Sequence, residues 1–87
     1  MGCSEAELLV WLPGAARGRA VTFGPSGASI VIDTGKLTLE WVSLPPRQIA
    51  LLRLPRLAVS FAFVGIDAAS RHAFMRYFDL YTQRGGG

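Results

Sequence analysis

The side chains that could carry out nucleophilic, acid–base or metal chemistry are few in this sequence. Ser26 lies in Gly-Pro-Ser-Gly, residues 24–27, which lacks the G-x-S-x-G spacing of a nucleophile elbow. His72 follows Ser70 and Asp67, but positions on one helix do not by themselves bring nucleophile, base and orienting acid together. One cysteine and one histidine fall short of the roughly four ligands of a zinc site. We therefore expect no catalytic residue, no metal site and no cofactor.

Arginine dominates the charged side chains. Nine basic and six acidic residues give a formal net charge of +3, and every basic residue except Lys36 is an arginine. The planar guanidinium suits bidentate recognition of phosphate. A small and dispersed positive excess does not by itself imply a nucleic-acid partner. The charge alone therefore leaves the class of ligand open.

Length, composition and cysteine content predict one small soluble domain. The chain has 87 residues, of which 51% are hydrophobic and 17% charged, so it is too apolar to stay disordered. Its longest apolar run, residues 8–12, is shorter than a membrane span or a signal-peptide core. Cys3, the single cysteine, cannot form an intramolecular disulfide. We expect a cytoplasmic domain over residues 1–84, followed by a flexible glycine tail over residues 85–87.

Turn residues divide the first two-thirds of the chain into short stretches with strand character. Glycine, proline and aspartate cluster at residues 13–18, 24–27, 33–36, 45–46 and 54–56. The stretches between and beside them are rich in apolar and β-branched residues: 8–12, 19–23, 28–33, 37–42, 48–54 and 57–64. Short strands joined by tight turns predict an antiparallel meander that curls into a small barrel.

The last part of the chain predicts one amphipathic helix. Asp67 is a suitable N-cap, and no glycine or proline follows it before Arg84. Four aromatic residues share one helical stripe because they recur at i, i+3, i+4 and i+7: Phe74, Tyr77, Phe78 and Tyr81. We expect this stripe and the large residues of 57–64 to fill the core, with the small residues of 57–64 facing outward. The predicted fold class is mainly β, a six-stranded antiparallel barrel or curled sheet with one C-terminal helix.

The segment that ends in this helix resembles the end of a PilZ domain. Residues 57–67 read Leu-Ala-Val-Ser-Phe-Ala-Phe-Val-Gly-Ile-Asp, which is similar to that family's closing V-x-F strand and acidic cap before an amphipathic helix. Members that bind cyclic di-GMP use an RxxxR segment before the first strand and a [DN]xSxxG loop after the second. Residues 1–7 hold no arginine. Of the loop motif only Gly27 is present, because Thr22 and Gly24 stand at the Asp/Asn and Ser positions.

The missing motifs shape what the resemblance implies. A dianionic dinucleotide needs arginine forks to offset the desolvation of its phosphates, and Arg17 and Arg19 could supply part of that function. The candidate ligand residues are therefore Arg17, Arg19, Ser26 and Gly27. PilZ-like domains without the ligand motifs resemble members that act as adaptors in motility, pilus or exopolysaccharide systems. We expect a non-catalytic protein-interaction adaptor in signalling, with apolar surface left for a protein partner or for self-association.

Two other functions fit parts of the sequence. A pleckstrin-homology-like small-barrel module that binds a peptide or lipid headgroup would be favoured by arginines 17, 19, 47, 53 and 56 around one barrel mouth. A module that binds single-stranded nucleic acid needs aromatic residues such as Trp11, Trp41 or Phe23 exposed beside arginines. The alternation of residues 37–42 instead predicts that Trp41 points into the core.

Overall fold

The computed structural model describes residues 1–83, so the predicted glycine tail over 85–87 lies outside the described residues. Within them, the chain forms one four-stranded antiparallel sheet with two helices. The elements in chain order are α1 (Glu5–Ala15), β1 (Val21–Gly24), β2 (Gly27–Ile32), β3 (Gly35–Ile49), β4 (Leu52–Val64) and α2 (Ala68–Gln83). Neighbouring strands in sequence are neighbours in the sheet, in the order β1-β2-β3-β4. The mainly β class is confirmed, and the closed six-stranded barrel is wrong, because the sheet is open.

One of the missing strands is a helix. Residues 8–12, predicted as the first strand, belong to α1. A capping box starts this helix: the Glu7 amide donates to the Ser4 hydroxyl at 3.2 Å, and the Ser4 amide donates to the Glu7 carboxylate at 2.9 Å. Since five apolar residues fit a strand and a buried helix equally well, the deciding signal was the Ser-x-x-Glu spacing just before them.

The other missing strand is divided between the ends of β3 and β4. Residues 48–54 contain the turn of a long hairpin, because Ile49 pairs with Leu52 across Ala50 and Leu51. Ala50 adopts the left-handed conformation there, with φ of 53°. The prolines at 45–46, which predicted a turn, instead coincide with an irregularity in the β3–β4 pairing between Leu44 and Arg47. Proline lacks the N–H that a regular ladder needs, so it is tolerated at such a bulge.

The core lies between one face of the sheet and the two helices. Leu37, Leu39 and Trp41 of β3 point to this face and are buried with Leu8 and Leu12 of α1, among other residues. The prediction that Trp41 points inward is therefore confirmed. Its indole Nε1 donates a hydrogen bond of 2.7 Å to the Glu5 carboxylate, which joins β3 to α1.

Helix α2 covers the β4 side of the same face. Phe78 is fully buried, and its ring packs edge-on against Phe61 with 5.4 Å between ring centroids. Phe74 packs in the same way against Phe63 at 6.4 Å. Tyr77 and Tyr81 of the same stripe are half-buried. Phe74 and Phe78 of the stripe are core, as predicted, and Tyr81 packs against the core, whereas Tyr77 is not part of it. Asp67 accepts a 2.7 Å hydrogen bond from the Ser70 amide at the helix start, as an N-cap does.

Candidate functional site

Arg17 and Arg19 lie together where the α1–β1 connection passes over α2. The Arg17 guanidinium stacks on the Tyr77 ring, 4.4 Å from its centroid, and that of Arg19 lies 5.5 Å from the centroid of Phe74. Arg19 also donates a hydrogen bond to the carbonyl of Ala16 at 3.2 Å. A small cavity of about 150 Å³ adjoins both arginines and includes Asp33 in its wall. The two guanidinium groups are thus held against α2, next to a carboxylate that would repel an anion.

Ser26 and Gly27 lie in and next to the turn between β1 and β2, at the opposite end of those strands. Arg19 is close to the other end of β2, because the Val31 amide donates to the carbonyl of Ala20. At about 3.3 Å per residue, the five steps from Gly27 to Ile32 separate the two ends by roughly 16 Å. The four candidate ligand residues therefore form two separate surfaces, one with the arginines and one with the serine and glycine.

The groove beside the β1–β2 turn is wide and open to solvent. It measures about 350 Å³ and includes Phe23, Ser26 and Glu40 in its wall. Of the three stacking candidates, Phe23 is 47% exposed, Trp41 is buried, and Trp11 is half-buried in α1. Glu40 brings negative charge to this groove, so it suits neither a phosphate nor a nucleic-acid strand.

The outer edge of β4 is a more distinctive surface. We call residues 58–64 of β4 the open edge. The Leu57 amide donates to the carbonyl of Met1 at 2.7 Å, and the Met1 amino group donates back to the carbonyl of Leu57. The backbone groups of Leu57 therefore point away from β3. Because this direction alternates along an antiparallel strand, those of Val59, Phe61 and Phe63 point outward as well.

A hydrogen bond between β3 and the start of β2 also indicates that these backbone groups point away from β3. The Trp41 amide donates to the carbonyl of Ser26, so its backbone groups point toward β2 rather than toward Val59, its partner in β4. Within residues 1–83, the backbone bonds outside the regular helix and strand pairings do not reach Val59, Phe61 or Phe63. These three residues thus present a row of outward N–H and C=O groups.

The open edge lacks the features that normally protect an edge strand. Its sequence, Ala-Val-Ser-Phe-Ala-Phe-Val, contains no charged residue and no proline, and its pairing with β3 is regular. Edge strands are usually blunted by lysine, proline, bulges or short length, because free backbone groups recruit other strands. Uncharged, β-prone segments of about this length are also the ones that associate most readily. The open edge is therefore ready to pair with another strand.

The far half of the β3–β4 hairpin forms a second candidate surface, which we call the arm, residues 42–56. All of its residues are exposed, and the molecule measures 46 Å along its long axis against 25 and 20 Å across. Arg47, Arg53 and Arg56 lie on the arm, and no acidic residue occurs between Glu40 and Asp67. The remaining basic and acidic residues cancel at six each, so the whole net charge of +3 belongs to the arm.

The strand register sorts the side chains of the arm onto two faces. Cross-strand partners share a face, and the face that continues the solvent side of the sheet is the outer face of the arm. Its members are Val42, Leu44, Arg47, Ile49, Leu52, Leu54 and Arg56. The outer face is thus apolar, with two arginines among the aliphatic side chains.

The arginines do not gather at one mouth. Arg47, Arg53 and Arg56 lie on the arm, whereas Arg17 and Arg19 lie against α2. The five arginines therefore do not form the single cluster that would favour a pleckstrin-homology-like headgroup site.

Two observations concern the titratable groups of residues 1–83. They contain no group of three or more His, Cys, Asp and Glu side chains placed to hold a metal ion. Burial raises the pKa of the Cys3 thiol, which therefore stays protonated at neutral pH rather than becoming a nucleophilic thiolate. No helix in the described part of the chain has the length and apolar character needed to cross a membrane.

Comparisons with known proteins give no further lead: no family model, no curated protein and no solved structure matches this chain.

Sequence reasoning missed both the open edge and the arm as surfaces. For the open edge, the large–small alternation of residues 57–64 indicated which face of that strand is buried. It could not show that β4 is the last strand of the sheet. For the arm, the signal was the apolar turn at Ala50 and Leu51, which carries none of the usual turn residues.

Proposed function

We propose that this chain is a non-catalytic protein-interaction module of the PilZ-like type, which pairs with a second copy of itself through the open edge. The observation that carries the proposal is the row of outward backbone groups at Val59, Phe61 and Phe63 on an unprotected strand. The proposal assigns the module to the cytoplasm, as an adaptor in signalling without a cyclic di-GMP site of the usual kind.

A two-fold arrangement about Phe61 satisfies all of these backbone groups. Phe61 of one chain would lie opposite Phe61 of the other, and Val59 of each chain would lie opposite Phe63 of the other. In each hydrogen-bonded pair, both residues donate one bond and accept another. Seven residues are available, which is close to the usual length of a strand. Such pairing uses the same patch on both chains, as two-fold dimers do.

The Met1–Leu57 contact at one end of the open edge and the small residues along it support a second copy as the partner. Met1 already pairs with Leu57, so an added strand ends before it reaches the arm. In antiparallel pairing, the two arms point in opposite directions, and their arginines do not meet. The side chains of Ala58, Ser60 and Ala62 lie on the solvent face of the sheet and are small, so they leave room on that face for the side chains of an added strand.

The test is sedimentation velocity over a range of protein concentrations, combined with hydrogen–deuterium exchange. We expect the wild type to dimerise, and exchange at the amides of Val59, Phe61 and Phe63 to slow as the dimer forms. Ala62→Lys adds a charge beside the open edge without disturbing the core, since Ala62 is exposed. It should shift the dimer to monomer.

Thr22→Lys is the matched control. Thr22 is exposed and lies in the same cross-strand row as Ala62, at the opposite edge of the sheet, through Ser29 and Thr38. This variant should dimerise like the wild type. A wild type that stays monomeric at every concentration would overturn the proposal, and so would a dimer that Ala62→Lys leaves intact.

A further inference from the structure

We infer that the arm is a membrane-docking element that places its outer face on an anionic lipid bilayer. The inference goes beyond the proposed function, because the arm and the open edge are separate surfaces on opposite sides of the Met1–Leu57 contact. The occupant is a lipid surface rather than a protein, for reasons of exposure, charge and backbone chemistry.

The exposure of the arm is unusual for its composition. Leu51 in the turn is 98% exposed and Leu52 is 64% exposed, although turns at the ends of hairpins are normally polar. Val42, Leu44, Ile49 and Leu54 are exposed on the outer face beside Leu52. A contiguous apolar surface of this kind marks a contact with a protein or with a membrane.

The charge of the arm favours an anionic lipid surface. Arg47, Arg53 and Arg56 carry the whole net charge of the chain. Arg47 and Arg56 lie on the outer face among the leucines, where a long side chain can bury its aliphatic stem and keep the guanidinium at the level of the phosphates. Basic residues near an anionic bilayer strengthen binding, roughly fivefold for each residue.

The backbone of the arm suits lipid better than an added protein strand. Residue 55 occupies an outward position of β4, in step with Leu57, but it is Pro55 and has no N–H to offer. Pro45 and Pro46 interrupt the ladder on β3. These prolines carry no N–H, so they block strand addition and leave fewer donors to desolvate. The residues of the arm whose backbone groups point inward pair across the hairpin.

A second copy of the arm is an equally poor occupant. Arm-to-arm contact would bring the arginines of two chains together with no acidic residue between 41 and 66 to offset them. Like charges across an interface are unfavourable. A bilayer that presents phosphates above an apolar interior offers both of the chemistries that the arm carries.

The experiment is vesicle flotation with the full chain and two lipid compositions. One set of vesicles contains phosphatidylcholine with phosphatidylserine, and the other contains phosphatidylcholine alone. We expect the wild type to float with the anionic vesicles, to bind the neutral ones far more weakly, and to dissociate as salt is raised.

Three variants separate the contributions of the arm. Leu51→Ser removes an apolar side chain that touches nothing essential to the fold, and it should weaken binding by at least about tenfold. The double variant Arg47→Gln, Arg56→Gln removes both arginines of the outer face and should weaken binding roughly 25-fold. Val10→Ser is the control, because Val10 is 77% exposed and belongs to α1 rather than to the arm, so its loss should leave binding unchanged.

Wild type that does not float with anionic vesicles would overturn the inference, and so would equal flotation of Leu51→Ser. A protein that binds the wild type in solution and loses affinity with Leu51→Ser, in the absence of vesicle binding, would show that the arm has a protein partner instead. Sedimentation of the same variants keeps this outcome separate from the proposed function, because dimerisation through the open edge should survive every change in the arm.

Discussion

Replacing Phe78 with alanine tests whether the aromatic stripe of α2 holds this helix on the sheet. Phe78 is fully buried and contacts Phe61 edge-on and Phe74 on its own helix. Removing a buried phenylalanine side chain costs about 3–5 kcal/mol, because hydrophobic transfer and the residual cavity both contribute. A chain of this length has a total stability of about 4–13 kcal/mol, so Phe78→Ala would remove at least about a quarter of it.

A graded series makes the magnitude measurable. Phe78→Leu keeps most of the buried volume and should cost about 1–2 kcal/mol. In a double-mutant cycle with Phe61→Leu, the edge-on contact should appear as a coupling of about 0.5–1.5 kcal/mol. The assay is urea unfolding followed by circular dichroism, with the midpoint and the slope fitted separately.

Leu80→Ala is the control on the same helix. Leu80 is a large apolar residue but is 47% exposed, so its truncation should change the free energy of unfolding by less than about 1 kcal/mol. If Phe78→Leu and Leu80→Ala had equal small effects, the stripe would not be core. The arrangement of α2 on the sheet would then be refuted.

Two further predictions concern the turn that ends β4. A methyl group at Gly35 would overlap the carbonyl oxygens of Val64 and Gly65. Gly35→Ala should therefore lower the free energy of unfolding, measured in urea melts, by about 1–3 kcal/mol. Gly24→Ala is the control and should be close to neutral, because a methyl group there makes only an ordinary contact. The hydrogen bond from the Ser70 backbone N–H lowers the pKa of Asp67 below its ordinary 3.8. The stabilisation that Asp67 contributes is therefore present above pH 3.8 and is lost as the pH falls through the lower pKa of the folded state. The difference in stability between wild type and Asp67→Asn should therefore shrink as pH falls below 3.8, and a difference independent of pH would contradict this.

Local patterns predicted several elements because their signals lie within a few residues. The helical spacing of Phe74, Tyr77, Phe78 and Tyr81, with Asp67 as cap, predicted α2 and its buried face. The alternation around Trp41 predicted which side of β3 faces the core. In both cases a side-chain period of one element encodes its burial, since a helix and a strand expose their faces at fixed intervals.

Non-local pairing decided the rest. The turn of the long hairpin falls at Ala50 and Leu51, although neither is a favoured turn residue, because the register of β3 on β4 places it there. The prolines at 45–46 were stronger local turn signals and are absorbed as a bulge. The same register creates the arm and its apolar outer face, neither of which exists until the two strands pair.

The candidate surfaces divide in the same way. The sequence by itself determined the chemistry available: arginines without acidic residues along 42–56, an uncharged strand at 58–64, and only one histidine and one cysteine. Only the tertiary structure decided that β4 is the last strand of the sheet, so that its backbone groups point outward. The fold also placed Arg17 and Arg19 at one end of β2 and Ser26 and Gly27 at the other. The chemistry of a side chain depends only on the residue type at that position. An open edge or a shared site depends on which distant segments of the chain lie side by side in the fold.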